Sequence, residues 1–229
     1  MFRVLCLLVA CVSLSMLALL YSVFALAPVE STMGIVQKIF YIHVPSAYAM
    51  YLGFGVCALG SGMYLWKGKA HWDAWALSGA EIGLVFCIAA LATGSLWARK
   101  AWGVWWTWDP RLTTTLLAGM IFGAYLALHG VKGTSAVEKR FASGLALVGL
   151  ADLPIIHYSV QRWRGQHPTV ISGRGQGLDP TMAKVFALGM VTFTLLFLLL
   201  LLWRWQVQRH VQSVQEVNDN LKAEQWGVA

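Results

Sequence analysis

Long apolar runs separated by short polar connections dominate the chain, and most of its Lys, Arg, Asp and Glu residues fall in the connections. Crossing the hydrocarbon core of a bilayer takes about 20 mainly apolar residues. Six stretches meet that need, at residues 4–26, 44–66, 75–97, 112–128, 141–156 and 185–205. The fifth is short and carries Pro154, so it begins earlier or ends in a kink. The pattern predicts an all-α polytopic membrane protein with six transmembrane helices. It forms one domain over residues 1–229, since no repeat, low-complexity tract or long linker divides it. The Gln, Glu, Asn and Lys residues from about 206 to 229 read as a polar tail. Residues 1–27 share features with a cleavable signal peptide, but their apolar run is longer than the usual core of about 7 to 15 residues, which favours a retained span.

Composition agrees with the pattern. The chain is 58% hydrophobic and 12% charged, whereas about a quarter of a soluble domain is charged. A net charge of +7 could suggest nucleic acid, but the cations are scattered through short connections. Membrane lipids or an acidic ligand suit them better. Cys6, Cys11, Cys57 and Cys87 all lie in apolar runs without a C-x-x-C motif, which disfavours disulfides, a zinc site and covalent haem attachment.

Six crossings put residues 27–43, 97–111 and 157–184 on one side of the membrane and both termini on the other. The terminal side carries nine Lys and Arg residues and the opposite side eight. Arg3 and the compact pairs near Lys67 and Lys139 favour cytoplasmic termini. The outer connections are then unusually basic, with Lys38, Arg99, Lys100, Arg111, Arg162, Arg164, Arg174 and Lys184, as an acidic ligand would require.

Candidate chemistry gathers on that outer side. Residues 102–109 read W-G-V-W-W-T-W-D, four tryptophans in eight residues between two spans. Tryptophan is common at membrane interfaces without any ligand, and Trp66, Trp72, Trp75, Trp97, Trp203 and Trp205 fit that ordinary belt. Four in one connection do not. If the segment is helical, Trp102, Trp105, Trp106 and Asp109 share a face suited to a flat macrocycle with a polar rim. Asp109 followed by Pro110 also starts the fourth span, with Asp as N-cap and Pro at the first helical position.

Topology sorts the six histidines. His71, His129 and His210 fall on the terminal side, and His43, His157 and His167 on the side of the tryptophans. A lone interfacial histidine is most often only a hydrogen-bonding group. Two flanking one aromatic platform make a plausible axial pair for haem iron. His43, in Y-I-H-V-P-S where Pro45 suits a first helical turn, and His157, in D-L-P-I-I-H-Y-S-V, rank first; His167 sits in the polar sequence W-R-G-Q-H-P and ranks below them. Arg99, Lys100, Arg111, Arg162 and Arg164 are candidate propionate partners. Glu81 and Asp152 are costly acids within spans, Glu81 near enough to one end to snorkel and Asp152 just before the Pro154 bend that leads to His157. Gly173, Arg174, Gly175 and Gly177 read as a flexible connection. No P-loop, G-x-S-x-G or H-E-x-x-H sequence occurs, which leaves ATPase and hydrolase readings without support.

At these residues the chain resembles the tryptophan-signature haem-handling family of cytochrome c maturation, and within it the C type, CcmC. The carriers are W-G-V-W-W-T-W-D-P-R-L-T over residues 102–113, Y-I-H-V-P-S over 41–46 and D-L-P-I-I-H-Y-S-V over 152–160. With six spans, the likeness covers nearly the whole chain. Pro110 departs from it, since the C type more often has Ala there. The resemblance implies haem b at the outer face of a bacterial inner membrane, with His43 and His157 as axial ligands to iron. Trp102, Gly103, Trp105, Trp106, Trp108, Asp109 and Arg111 form its platform and rim. It further implies presentation of haem to a periplasmic haem chaperone, in company with the ATPase and membrane subunits of an ABC transporter and a small single-span protein. The chain would then be a holder and presenter and not an enzyme. Alternatives are a haem lyase or cytochrome c synthase type, a haem permease, a b-type membrane redox protein and a pigment-free scaffold.

Overall fold

The computed structural model describes residues 2–130, 135–167 and 178–225. Lys132 and the glycine-rich stretch from Gly173 to Gly177 lie outside the described residues. Six helices follow one another: α1 (Phe2–Tyr21), α2 (Phe40–Lys67), α3 (Ala70–Ala101), α4 (Pro110–Gly130), α5 (Ala136–Trp163) and α6 (Pro180–Gln225). Each is long and apolar enough to cross a membrane, as the hydrophobic pattern predicts. Within a bilayer, helices of this kind satisfy their backbone groups internally. Hydroxyls inside them do the same, as when Ser46 donates to the carbonyl of Ile42 and Ser78 to that of Ala74, both at 2.7 Å.

Several helices run past their apolar windows for visible reasons. A capping box starts α5 early: the Ser135 hydroxyl accepts from the Glu138 amide at 3.4 Å, and the Glu138 carboxylate accepts from the Ser135 amide at 2.6 Å. The fifth span is therefore 28 residues long. The polar tail continues α6 as helix, and Gln212 donates to the carbonyl of Ala70 at 3.0 Å. Pro45 lies inside α2 and not in its first turn, because a 3-10 turn over Ile35–Ile39 leads into a helix that already begins at Phe40.

Small residues let α2 and α3 meet almost backbone to backbone. A Cβ added at Gly53 would lie 2.4 Å from Gly83 Cα, and one at Gly79 would lie 2.6 Å from the Cys57 nitrogen. Such close approach is how helices gain contact where lipid tails are as apolar as the side chains. Phe54 from α2 then stacks on Phe122 from α4, with centroids 3.9 Å apart and planes 7° from parallel.

Polar ties fix the remaining helices. Glu81 on α3 does not snorkel; it accepts from two nitrogens of Arg204 on α6, with Gln208 at 3.4 Å. At the end that carries the termini, Asp73 on α3 accepts from His129 of α4 at 3.0 Å and from Lys139 of α5 at 3.1 Å. Trp75 and Trp205 stack there at 4.9 Å. At the other end α1 closes in a π-helical turn over Ser22–Leu26, and buried Lys38 donates to the carbonyl of Val23 at 2.7 Å and of Phe24 at 3.3 Å. Lys38 thus caps a helix C-terminus and is spent as a ligand cation.

Candidate functional site

At the end opposite both termini, α2, α3, α4 and α5 enclose a cavity of about 1290 Å³, larger than the roughly 300–1,000 Å³ of ordinary small-molecule sites. His43 and Tyr51 come from α2, Gly94 and Trp97 from α3, Arg111 from α4, and His157 and Gln161 from α5. Trp102, Trp106 and His167 add the connections, and Glu30 with Met33 adds the loop before α2.

The tryptophan connection is not helical. It leaves α3 through a turn in which Gly103 takes φ of 77°, a conformation that favours glycine. Arg99 pins that turn by donating to the Gly103 carbonyl, and its guanidinium lies 5.9 Å from the Trp105 ring centroid. The shared face expected of a helix therefore does not form. Trp102 and Trp106 face the cavity, whereas Trp105 and Trp108 stand outside it at 57% and 76% exposure. An edge-to-face pair joins the two sets, Trp106 meeting Trp108 at 5.8 Å, and a second lies within the cavity wall, Trp97 meeting Trp102 at 5.3 Å. Trp97 belongs to the cavity wall and not to the ordinary belt.

Asp109 has the capping job read from the sequence and a second one besides. Its Oδ1 accepts from the Arg111 amide at 2.9 Å, which caps α4. Its Oδ2 accepts from the amides of Gln166 at 2.6 Å and His167 at 3.3 Å. The carboxylate is 6% exposed, and any Cβ at Gly165 would stand 2.6 Å from Oδ2. Glycine at 165 therefore lets the chain after α5 fold back over the cavity, which brings His167 there.

His167 then faces His43, with ring centroids 6.3 Å apart and planes 30° apart. His157 lines the cavity too, but it is exposed and its ring packs edge-on against Tyr158 at 4.9 Å and 88°. All three outer histidines thus line the cavity, and the ring of His167 is the one paired with that of His43. A histidine in a polar loop gives no periodic signal; bonds to residues more than 50 positions away in sequence, among them Asp109 and Arg111, help to put it in place. Arg111 holds the same corner, donating from Nη2 to the His157 carbonyl at 3.2 Å and from Nη1 to His167 Nδ1 at 3.3 Å.

The other outer cations lie elsewhere. Lys100, Arg162, Arg164 and Lys184 are exposed, and Arg99 is engaged with Gly103 and Trp105. Glu30 shapes the loop at the cavity mouth by accepting from the amides of Thr32 at 2.9 Å and Met33 at 2.5 Å. Those two amides hold its carboxyl below its ordinary pKa of 4.5. Asp152, just before the Pro154 bend that leads to His157, is buried with Oδ2 lacking a partner among the described residues.

Residues 1–219 match the family described as heme exporter protein C. A heme exporter protein C of Bradyrhizobium diazoefficiens is 36% identical over 197 residues, covering 83% of this chain and 74% of that protein. The heme exporter protein C of Escherichia coli is 36% identical over 184 residues, covering 79% of this chain and 74% of the relative. A ccmC-like mitochondrial protein of Marchantia polymorpha, named for cytochrome c biosynthesis, is 32% identical over 173 residues and covers 75% and 73%.

Proposed function

Because the chain belongs to the heme exporter protein C family, we propose that it holds haem b in the tryptophan-walled cavity and presents it to a periplasmic haem chaperone during cytochrome c maturation. The protein is then a multi-pass protein of a bacterial inner membrane, with cytoplasmic termini and the cavity on the periplasmic side. It works beside the ATPase and membrane subunits of an ABC transporter and a small single-span protein. Haem is its cargo.

One observation carries this reading: His43 and His167 both line the cavity, with their ring centroids 6.3 Å apart. Two imidazoles that share one metal ion, each nitrogen about 2.0–2.1 Å from it, have their centroids roughly 6 Å apart. The donor set also fits a porphyrin, with neutral imidazoles for iron, indoles for the apolar ring and a guanidinium for a carboxylate rim. Trp102 and Trp106 supply the stacking surface, while Gly103 and Asp109 hold the segment that carries them. Arg111 donates to His167 Nδ1, so ligation through His167 Nε2 requires that contact to break. Breaking it releases the guanidinium toward a propionate, which couples iron capture to rim capture. Trp105 and Trp108, outside the cavity, are the surface available to an incoming chaperone.

The pairing of His43 with His157 is the second reading, favoured by the place of His157 on the cavity wall. Absorption and EPR spectra of His43→Ala, His157→Ala and His167→Ala, each with transfer to a co-expressed chaperone, separate the two. The expected outcome is loss of the low-spin bis-imidazole signal and of transfer in His43→Ala and His167→Ala, with His157→Ala keeping its low-spin spectrum. Loss in His157→Ala with retention in His167→Ala establishes the second reading. Unchanged spectra and transfer in all three overturn both.

A further inference from the structure

We infer that Thr93 and Gly94 on α3 form the seat that fixes the tautomer of His43 and leaves its Nε2 as the iron-binding nitrogen. The inference rests on the reading of His43 as an axial ligand. Neither residue stands in any of the sequence motifs, and their role comes from the packing of α2 against α3.

The hydroxyl of Thr93 has one proton. The oxygen that bears it lies 2.7 Å from the carbonyl of Ala89 and 3.2 Å from that of Ala90, an arrangement in which the proton bonds back to its own helix. The oxygen therefore meets any further neighbour as an acceptor. That neighbour is His43 Nδ1, at 3.1 Å. With the hydroxyl proton committed to its own helix, the bond balances when Nδ1 carries the hydrogen and donates it to Thr93 Oγ1. A neutral imidazole has one N–H, so Nε2 keeps the lone pair that a metal can take.

Gly94 supplies the other half of the seat. A Cβ at this position would lie 3.0 Å from His43 Cε1 and 3.5 Å from Nδ1. Glycine lets the imidazole lie against the α3 backbone within reach of the threonine hydroxyl, and a methyl there would push the ring away by a few tenths of an ångström. One residue sets the height of the ring and its neighbour sets the proton. Thr93 is thus a positioning residue that acts on haem through His43. By polarising the Nδ1–H bond it also raises the basicity of Nε2, the usual effect of an outer partner on a metal-bound histidine.

The test compares Thr93→Val, Thr93→Ser, Gly94→Ala and His43→Ala in the full-length protein, loaded with haem in cells and purified in detergent. Valine keeps the shape of threonine and removes the acceptor. Loss of such an outer partner weakens metal binding by about 10–100-fold, so Thr93→Val is expected to release haem faster by that factor. Its haem midpoint potential is expected to shift to more positive values, because a less basic imidazole stabilises the ferric state less. Thr93→Ser is expected to restore both properties, and Gly94→Ala to weaken retention with the hydroxyl still present. Wild-type retention and potential in Thr93→Val, in a protein whose His43→Ala variant loses the low-spin signal, overturn the inference and leave the ligand reading standing. A wild-type spectrum in His43→Ala overturns both. If Thr93→Val does not accumulate in the membrane, Thr93→Cys, a weaker acceptor, carries the comparison. An intermediate shift supports the seat and wild-type values overturn it.

Discussion

Single carboxylates do unlike work at the two corners of the cavity. Asp109 joins the start of α4 to the segment carrying His167 through one oxygen for each. Asp109→Ala removes an N-cap worth about 0.5–2 kcal/mol and also releases His167. The expected result is a lower melting temperature together with loss of the low-spin haem signal, read by thermal denaturation and EPR of one sample. Asp109→Asn keeps an acceptor for the cap and is expected to lose less of both. Glu30 works by charge, because two amides favour its ionised form. Its native pKa lies below 4.5, so the support it gives the 30–34 turn is complete above that value and is lost as pH falls through the native pKa. Hydrogen exchange at the Thr32 and Met33 amides is expected to accelerate on acidification in the wild type, and to be fast and less pH-sensitive in Glu30→Gln once intrinsic exchange is corrected for. Asp109 could be read as a helix start because Pro110 follows it, and His43 could be placed on the side of the tryptophans by counting crossings. The roles of His167 and Thr93 could not be read in this way, because they come from contacts across helices that no local spacing encodes.

Helices meet here in two ways, and each gives its own expectation. Where α2 crosses α3, glycine is needed on both sides. Gly53→Ala places a methyl against the backbone of Gly83, and overpacking of this kind costs about 1–3 kcal/mol. A lower melting temperature in detergent, with more loss in Gly53→Val, is the expected outcome. Where α3 meets α6, Glu81 and Arg204 form a half-buried ion pair. Removing one partner strands the other, at about 1–2 kcal/mol in this setting. A double-mutant cycle with Glu81→Gln and Arg204→Met is expected to recover stability relative to either single change. The six spans could be read from the chain because a bilayer demands long apolar runs and little else. The shape of the tryptophan connection could not, because a left-handed glycine and the Arg99 bond to its carbonyl override helical periodicity.

On the scale of the whole molecule, an even number of crossings sets both termini against the cavity. A cysteine introduced at Trp105 is expected to react with an impermeant thiol reagent from the periplasmic side of intact cells. One at Gln215 is expected to react only after the membrane is opened, and the reverse pattern would invert the proposed orientation. The end of the bundle that carries the cavity could be foreseen by counting crossings, whereas the enclosure between α2, α3, α4 and α5 appears only once the helices are packed. The eight-residue tryptophan segment has an inner face on the cavity and an outer face in the open, joined ring to ring through Trp106 and Trp108. Any cargo that reorders the inner rings must also alter the outer surface. By thermodynamic linkage, whatever binds that surface more tightly when the cavity is full will raise the affinity of the cavity for its cargo by the same factor. A binder that instead prefers the empty arrangement will loosen the cargo, so the preference of the outer surface decides whether docking retains or discharges it.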